Sequence, residues 1–253
     1  MNPIGRETHR AVCITGASGG IGRAIAAAFA AAGPVRLALH AHSHADDLRA
    51  WAEQLKSDSV SADVFQADLR DRKQVFDMVQ AVEATFGPLD VLVNNAGIAQ
   101  QKLFTDLTQA DWQNMVDINL SGPVYMTQAA LPGMIRRHAG AIINVSSMWG
   151  ETGASCEVHY SAVKAGLIGL TRALAKEVGP SHITVNCVTP GVIDTPMNAA
   201  FSEAELAELA DETPLGRIGR PAEVAGLVVY LASASAAFIT GQVIGINGGL
   251  VIG

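Results

Sequence analysis

Charge, aromatic side chains and cysteine are all scarce in this chain of 253 residues. Charged residues make up 16% and aromatics 5%, and only Cys13, Cys156 and Cys187 carry thiols. The cysteines lack metal-ligand spacing, and their odd number does not describe a disulfide framework, so free thiols in a cytoplasmic setting are expected. Positive charge is also short: 17 Lys and Arg against 24 Asp and Glu leave a net charge of −7. A nucleic-acid-binding face needs a cationic surplus, so no nucleic-acid partner is expected. The N-terminal stretch MNPIGRETHR has no apolar core and does not read as a secretory leader. After Glu223 no charged residue follows, but Ser233, Ser235, Thr240, Gly241 and Gln242 interrupt the apolar run. A membrane helix needs about 20 mainly apolar residues. A buried helix followed by a buried strand is therefore expected over 225–246 rather than a membrane span.

What is abundant is aliphatic residues, which bring the hydrophobic share to 49% and imply extensive burial, subunit interfaces included. Short β-branched runs alternate with Ala-rich helical stretches. Strands are expected at 11–15, 36–40, 59–66, 89–93, 141–145, 184–188 and 242–246. Helices are expected at 21–32, 45–56, 73–86, 158–178 and 222–231, with one long helix over 110–137 kinked at Gly122-Pro123. Strands apolar throughout indicate a sheet covered on both faces, and alternation with helices indicates parallel βαβ units. The expected fold is an α/β, single-domain, Rossmann-type doubly wound parallel sheet with helices on both faces, spanning 1–253. The least regular region, 190–221, carries a short acidic helix at 202–211 and reads as a flap over a site at the sheet's C-terminal edge.

Thr15-Gly16-Ala17-Ser18-Gly19-Gly20-Ile21-Gly22 follows the first strand and opens the first helix. Glycine alone explains a tight turn on steric grounds. At a first strand–helix junction, however, free N–H groups of the helix start face a pyrophosphate. The second strand ends in His40-Ala41-His42-Ser43-His44, with no acid before Asp46. An acid there favours NAD, and its absence tolerates the extra phosphate of NADP. His42 and Ser43 are donors for that phosphate, so NADP(H) is favoured and NAD(H) stays open. The competing use of His40, His42 and His44 is metal binding, although three histidines in a strand-end turn more often hold none. A zinc-dependent dehydrogenase lacks suitable Cys/His ligands elsewhere, and no metal is expected.

Tyr160 and Lys164 sit four apart on the long helix over 158–178, on one face. A tyrosine pKa near 10 is too high for a base at neutral pH, and a nearby cation lowers it. The pair then works as an acid/base; without context, the same spacing describes a solvated helix face. Asn144-Val145-Ser146-Ser147 supplies context, because a serine pair ends a buried strand where α/β sites form. Capping is the ordinary use of such serines, and Ser146 is expected to take it while Ser147 faces substrate.

With these motifs in place, the sequence resembles the short-chain dehydrogenase/reductase family from about Arg10 to Gly249. The resemblance rests on the glycine turn at 15–22, Asn94-Asn95-Ala96-Gly97, Asn119, Ser147, Tyr160-x3-Lys164 and Pro190-Gly191, in register. It implies that Tyr160 is the general acid in reduction and the base in oxidation. Ser147 orients the substrate oxygen, Lys164 lowers the tyrosine pKa and holds the nicotinamide ribose, and Asn119 keeps a relay water. Gly16, Ser18, Gly20 and Ile21 would meet the pyrophosphate. Asp68 and Leu69 would sit at the adenine, and Asn95 and Gly97 would line the cofactor while Asn94 braces the sheet. Ile193 and Thr195 would meet the carboxamide. The chemistry implied is direct hydride transfer between a small-molecule carbonyl and its alcohol.

The chain is most similar to the 3-oxoacyl-[acyl-carrier-protein] reductase branch, whose C-terminal strand resembles 241–249 and whose members are typically homotetramers. Arg136, Arg137 and His138 partly match the basic residues such enzymes place near the site entrance; Ser181-His182 has no arginine at the second position. Met148-Trp149-Gly150-Glu151-Thr152 and His159 depart from that branch. Trp149 and His159 are candidates to line a pocket for a small or ring-shaped ketone, against simple loop packing for Trp149. A sugar, cyclic or steroid-like alcohol dehydrogenase is the alternative substrate class. A non-catalytic cofactor-binding sensor or scaffold is the alternative of another kind.

Overall fold

The structure, a computed structural model, describes residues 9–196 and 202–252. Seven parallel strands form one sheet in the order β3-β2-β1-β4-β5-β6-β7. They are β1 (Arg10–Ile14), β2 (Val35–Ala41), β3 (Val60–Gln66), β4 (Val91–Asn94), β5 (Gly140–Val145), β6 (Ile183–Pro190) and β7 (Val243–Ile246). The helices are α1 (Gly20–Ala32), α2 (Ala45–Glu53), α3 (Arg72–Phe86), α4 (Gln109–Val116), α5 (Gly122–Arg137), α6 (Trp149–Thr152), α7 (Val158–Val178), α8 (Glu203–Glu212) and α9 (Pro221–Leu231).

Alternate residues of each strand feed two separate cores. Val12 and Ile14 of β1 pack with Ile25 and Phe29 of α1, Leu48 of α2 and Val228 of α9. Ala11 and Cys13 face the opposite way, among Val79 of α3, Met126 of α5 and Ala175 of α7. Burying each large aliphatic or aromatic side chain contributes about 1.5–3 kcal/mol, which is why the inner strands carry no polar face. The doubly wound arrangement is thus as expected. One departure is β7, which is an edge strand and only half-buried, not buried. It lies beside a single neighbour, β6.

The stretch 110–137 is not one kinked helix. α4 passes through a wide π turn, Asp117–Ser121, before α5 begins. Pro123 has no N–H for the carbonyl four residues back, that of Asn119, and its ring crowds that carbonyl. The chain answers by widening to an i→i+5 bond, Gly122 N–H to Asp117 O. Within the flap region, residues 197–201 lie outside the described residues. Its base is clasped, with Ile193 bridged to Gly219 and Asp194 N–H donating to Gly219 O at 2.9 Å. α8 matches the expected acidic helix and is started by a Ser202/Glu205 capping box. Among the described residues no helix is long and apolar enough to cross a membrane.

Candidate active site

Because every strand is parallel, the loops after β1, β2, β3, β4, β5 and β6 all emerge at one sheet edge. The expected site residues follow the order of the strands across it: Asp68 and Leu69 beyond β3, His42 and Ser43 beyond β2, the glycine turn beyond β1, Asn95 and Gly97 beyond β4, Ser147 beyond β5, and Ile193 and Thr195 beyond β6. From β2 to β5 is three strand spacings, about 14 Å at ~4.8 Å each. The direction of winding reverses between β1 and β4, and that is where the glycine turn lies.

The turn is held from below by groups the motif does not reveal. Gly16 has φ +64°, and a Cβ there would lie 2.8 Å from Ala96 Cα. Gly16 N–H donates to Nδ1 of His40 at 3.2 Å, while His40 Nε2 bonds Ala67 O at 3.0 Å. With both nitrogens committed to backbone, His40 is a structural residue that ties β1 to the β3 loop, not a member of a metal set. Burial lowers its pKa to about 4, so the ring is neutral. Thr15 Oγ1 accepts from the N–H groups of Asn95 (2.9 Å) and Ala96 (3.0 Å). The Asn95 amide donates back to Thr15 O and Gly16 O. Asn95 therefore braces the glycine turn with its side chain rather than presenting that side chain to a ligand. Asn94 braces the sheet as expected, donating to Asn144 Oδ1 at 2.9 Å.

Above this scaffold the turn is open. The α1 N-cap, Gly19, makes no side-chain cap bond, and the first turn holds no acid. A Cβ on Gly19 would meet nothing nearer than Gly16 O at 3.5 Å. The first N–H groups of α1 are thus left to an external acceptor, and the helix dipole favours an anion there. Ser18 and Ile21 flank this opening half-buried, and Thr195 comes against Gly20, where a Cβ would lie 3.0 Å from it. These residues fit a dinucleotide.

At the β2/β3 end His42 and Ser43 are exposed. Asp68 is gripped on both oxygens by Arg70 and faces His42 at 3.8 Å. The Arg70 hydrogen bonds lower the Asp68 carboxyl to about 2. Arg70 also donates to Asn114 at 3.2 Å. Arg70 thus brings a basic side chain beside the end of β2 from a different loop, a juxtaposition with no sequence register. Leu69 turns inward instead, buried against Gly122 at the start of α5.

At the other end Asn119, Ser147, Tyr160 and Lys164 converge. A Cβ on Gly97 would lie 2.6 Å from Asn119 Oδ1 and 3.4 Å from Lys164 Nζ. Asn119 is fully buried in the π turn; its Oδ1 accepts from Ile98 N–H at 3.2 Å and its Nδ2 donates to Met115 O at 3.2 Å. Lys164 donates to Val145 O at 2.9 Å and lies 5.6 Å from the Tyr160 ring centre. Burial lowers its pKa to about 8. Burial also pushes the Tyr160 phenol up to about 12, and the opposing pull comes from its hydrogen bond with Ser147. This corrects the expectation that Lys164 lowers the phenol. The burial that brings the two together disfavours both charged forms, and the ammonium is spent on a carbonyl.

The serine pair also divides its work differently. Ser146 Oγ donates to Lys164 O at 2.7 Å, pinning α7 to β5. Ser147 Oγ accepts from Trp149 N–H at 3.2 Å, a local turn bond, and still faces Tyr160. Trp149 opens the one-turn helix α6 half-buried. His159 does not line a substrate pocket: it is fully buried, with Nε2 3.0 Å from Gln100 Oε1. A cleft of about 520 Å³ lies between residues 98–100 and α4, lined by Gln100, Asp111 and Asn114 among others. Arg136, Arg137 and His138 precede β5, and His182 precedes β6. They lie at the sheet edge opposite the chain's own Ser147, with the two histidine rings 6.4 Å apart.

A family model described as enoyl-(acyl carrier protein) reductase matches residues 16–251. The chain is 43% identical to an uncharacterized oxidoreductase of Bacillus subtilis (strain 168), over 95% of this chain and 98% of that protein. It is 41% identical to a 3-oxoacyl-[acyl-carrier-protein] reductase of Thermotoga maritima, again over 95% and 98%. A Brucella melitensis crystal structure described as short-chain dehydrogenase/reductase SDR:Glucose/ribitol dehydrogenase matches with a TM-score of 0.89 at 36% identity, covering 98% of this chain and 99% of that one.

Proposed function

The chain belongs to the short-chain dehydrogenase/reductase family and is an oxidoreductase acting between CH–OH and C=O, and we propose that it reduces the ketone of a 3-oxoacyl thioester with NADP(H). The observation that carries the reaction type is that Asn119 and Lys164 meet at Gly97, with Tyr160 beside Lys164 and hydrogen-bonded to Ser147. The name of the Thermotoga maritima relative supports the substrate class.

A nicotinamide bound at this site would supply the hydride. Gly16, Ser18, Gly20 and Ile21 would hold its pyrophosphate at the α1 start, and His42 and Ser43 would take the additional phosphate of NADP. Asp68, with the backbone of Leu69, would meet the adenine. Gly97, Lys164, Ile193, Thr195 and the backbone of Asn95 would flank the nicotinamide half. Ser147 donates to the substrate oxygen while its own oxygen is fixed by Trp149 N–H. Tyr160 donates the proton. A phenol pushed up to about 12 is fully protonated at neutral pH, so the site as built is charged for reduction. The developing alkoxide is more basic still and takes that proton. Lys164, at about 8, returns a proton to the phenolate, with Asn119 holding the path to solvent.

A homotetramer fits the exposed apolar side chains: Phe238 is fully exposed, and Leu103, Phe104 and Ile252 are largely so. The second substrate reading, a sugar or cyclic alcohol, is supported by the description of the Brucella melitensis structure and by the distance of the basic patch from the chain's own Ser147. The deciding experiment is a panel of acyl thioesters, cyclic ketones and sugars, each followed at the nicotinamide absorbance with both cofactors. The expected result is the highest kcat/KM for a 3-oxoacyl thioester with NADPH. A clear NADH preference would overturn the cofactor assignment, faster sugar turnover the substrate class, and no turnover of any compound would favour a cofactor-binding scaffold.

A further inference from the structure

The residue before Tyr160 has no place in the mechanism above, yet its imidazole is fully buried, and Nδ1 has no hydrogen-bond partner. The surrounding groups determine its protonation. Asp111 accepts from Lys102 Nζ at 2.7 Å, Thr108 Oγ1 at 2.6 Å and Thr108 N–H at 2.9 Å. The Lys102 bond foremost holds that carboxyl well below the usual range, so it is ionised and can only accept. The Gln100 side chain must then turn its NH2 toward Asp111, at 3.0 Å, and its oxygen toward His159. An oxygen facing His159 Nε2 at 3.0 Å requires the proton on Nε2. Nδ1 is left as a bare lone pair.

This chain of bonds joins four segments. His159 belongs to the first turn of α7, beside Tyr160. Gln100 and Lys102 belong to the loop after β4, whose Ile98 N–H bonds Asn119 Oδ1. Asp111 belongs to the first turn of α4. Lys102 N–H donates to Cys156 O at 2.8 Å, bringing in the loop after α6. Gln100 and Asp111 are also walls of the 520 Å³ cleft. We propose that His159 is a positioning residue: its single Nε2–H to Gln100 bond locks the 98–102 wall of the cleft to the tyrosine helix, and a second proton on the ring releases it.

The second proton has nowhere to bond, because Nδ1 is buried without an acceptor. Burial dominates the ring's preference for the neutral form; Asp111, from α4, opposes it and Lys102, from the loop, reinforces it. The proposal rests on the catalytic reading above for its effect on turnover, but not for the clamp itself, and the two are separable. Amide exchange of residues 97–102, corrected for intrinsic rates, is measured on the ligand-free protein between pH 4 and 8 and referenced to amides of the sheet core, which removes the global destabilisation His40 brings below pH 6.5. Relative to the core, wild type is expected to lose protection roughly tenfold on the acid side of the ordinary imidazole range, the factor that loss of one buried hydrogen bond allows. His159→Gln places a non-titrating N–H near the Nε2 position and is expected to hold protection flat; His159→Leu is expected to lack it throughout. A pH-independent wild type, or the same acid transition in His159→Gln, overturns the clamp. On any carbonyl that is reduced, His159→Leu should raise KM roughly tenfold with kcat within about threefold, and His159→Gln should restore it. A fall in kcat with KM intact overturns the positioning role. If no carbonyl is reduced, the catalytic reading fails while the exchange measurement still decides the clamp.

Discussion

At the scale of single residues, Tyr160 and Lys164 show how one burial acts in opposite directions. Desolvation penalises the charged form of each, raising the acid to about 12 and lowering the base to about 8. Replacing Tyr160 by Phe removes the proton donor while keeping the ring. The expected loss in turnover is about 10²–10⁴-fold, the usual worth of a positioned acid. Cofactor affinity, read by fluorescence titration, should change by less than about threefold, since the ring contacts persist. Wild-type-like turnover in Tyr160→Phe would sink the mechanism. The pH profile of reduction gives a second test. Lys164 is cationic below about 8 and loses its proton above it, so kcat/KM for reduction should fall as pH rises through that value. A profile flat to pH 10 would remove Lys164 from the relay.

At the scale of elements, the π turn decides where Asn119 points. Tyr160 and Lys164 share a face by helical spacing, and α7 spans the residues expected for it. The long helix over 110–137 was legible as helical, but its wide turn was not. A periodic pattern marks which residues face the core, not whether the backbone bonds four or five residues back. Pro123 was the available signal. Pro123→Ala returns an N–H to the Asn119 carbonyl and permits an ordinary helix through 117–121. The expected outcome is a melting temperature equal to or above wild type with turnover reduced about tenfold or more, the scale of one misplaced catalytic group. Unchanged turnover would show that the wide turn is not needed for the relay.

At the scale of the whole molecule, the site depends on a sheet edge assembled from six loops, and its acid stability depends on what lies beneath. His40 bonds the glycine turn on one side and the β3 loop on the other. Its folded pKa, about 4, lies below the unfolded 6.5, so the unfolded chain takes the proton first. The stabilisation is complete above pH 6.5 and is lost as pH falls through about 4, amounting to about 3 kcal/mol. Urea midpoints at pH 7 and pH 4 should differ by correspondingly less in His40→Gln than in wild type; equal acid sensitivity in the two would show that other groups carry the effect.

The sequence by itself determined the alternation of strand and helix, the glycine turn, and the shared helix face of Tyr160 and Lys164. Those follow from local rules: the period of burial, the φ freedom of glycine, and the spacing of side chains on one helix. Only the tertiary structure decided the partners. Sequence does not say that Asn95 spends its amide on Thr15 and Gly16, that Arg70 meets Asp68 beside His42, or that His159 turns to Gln100 instead of a pocket. The Asn95 and His159 contacts, and the approach of Asp68 to His42, join segments whose separation in the chain carries no periodic signal. For Asn95 and His159 the contact arises because a buried polar atom must find its partner wherever the sheet order brings one.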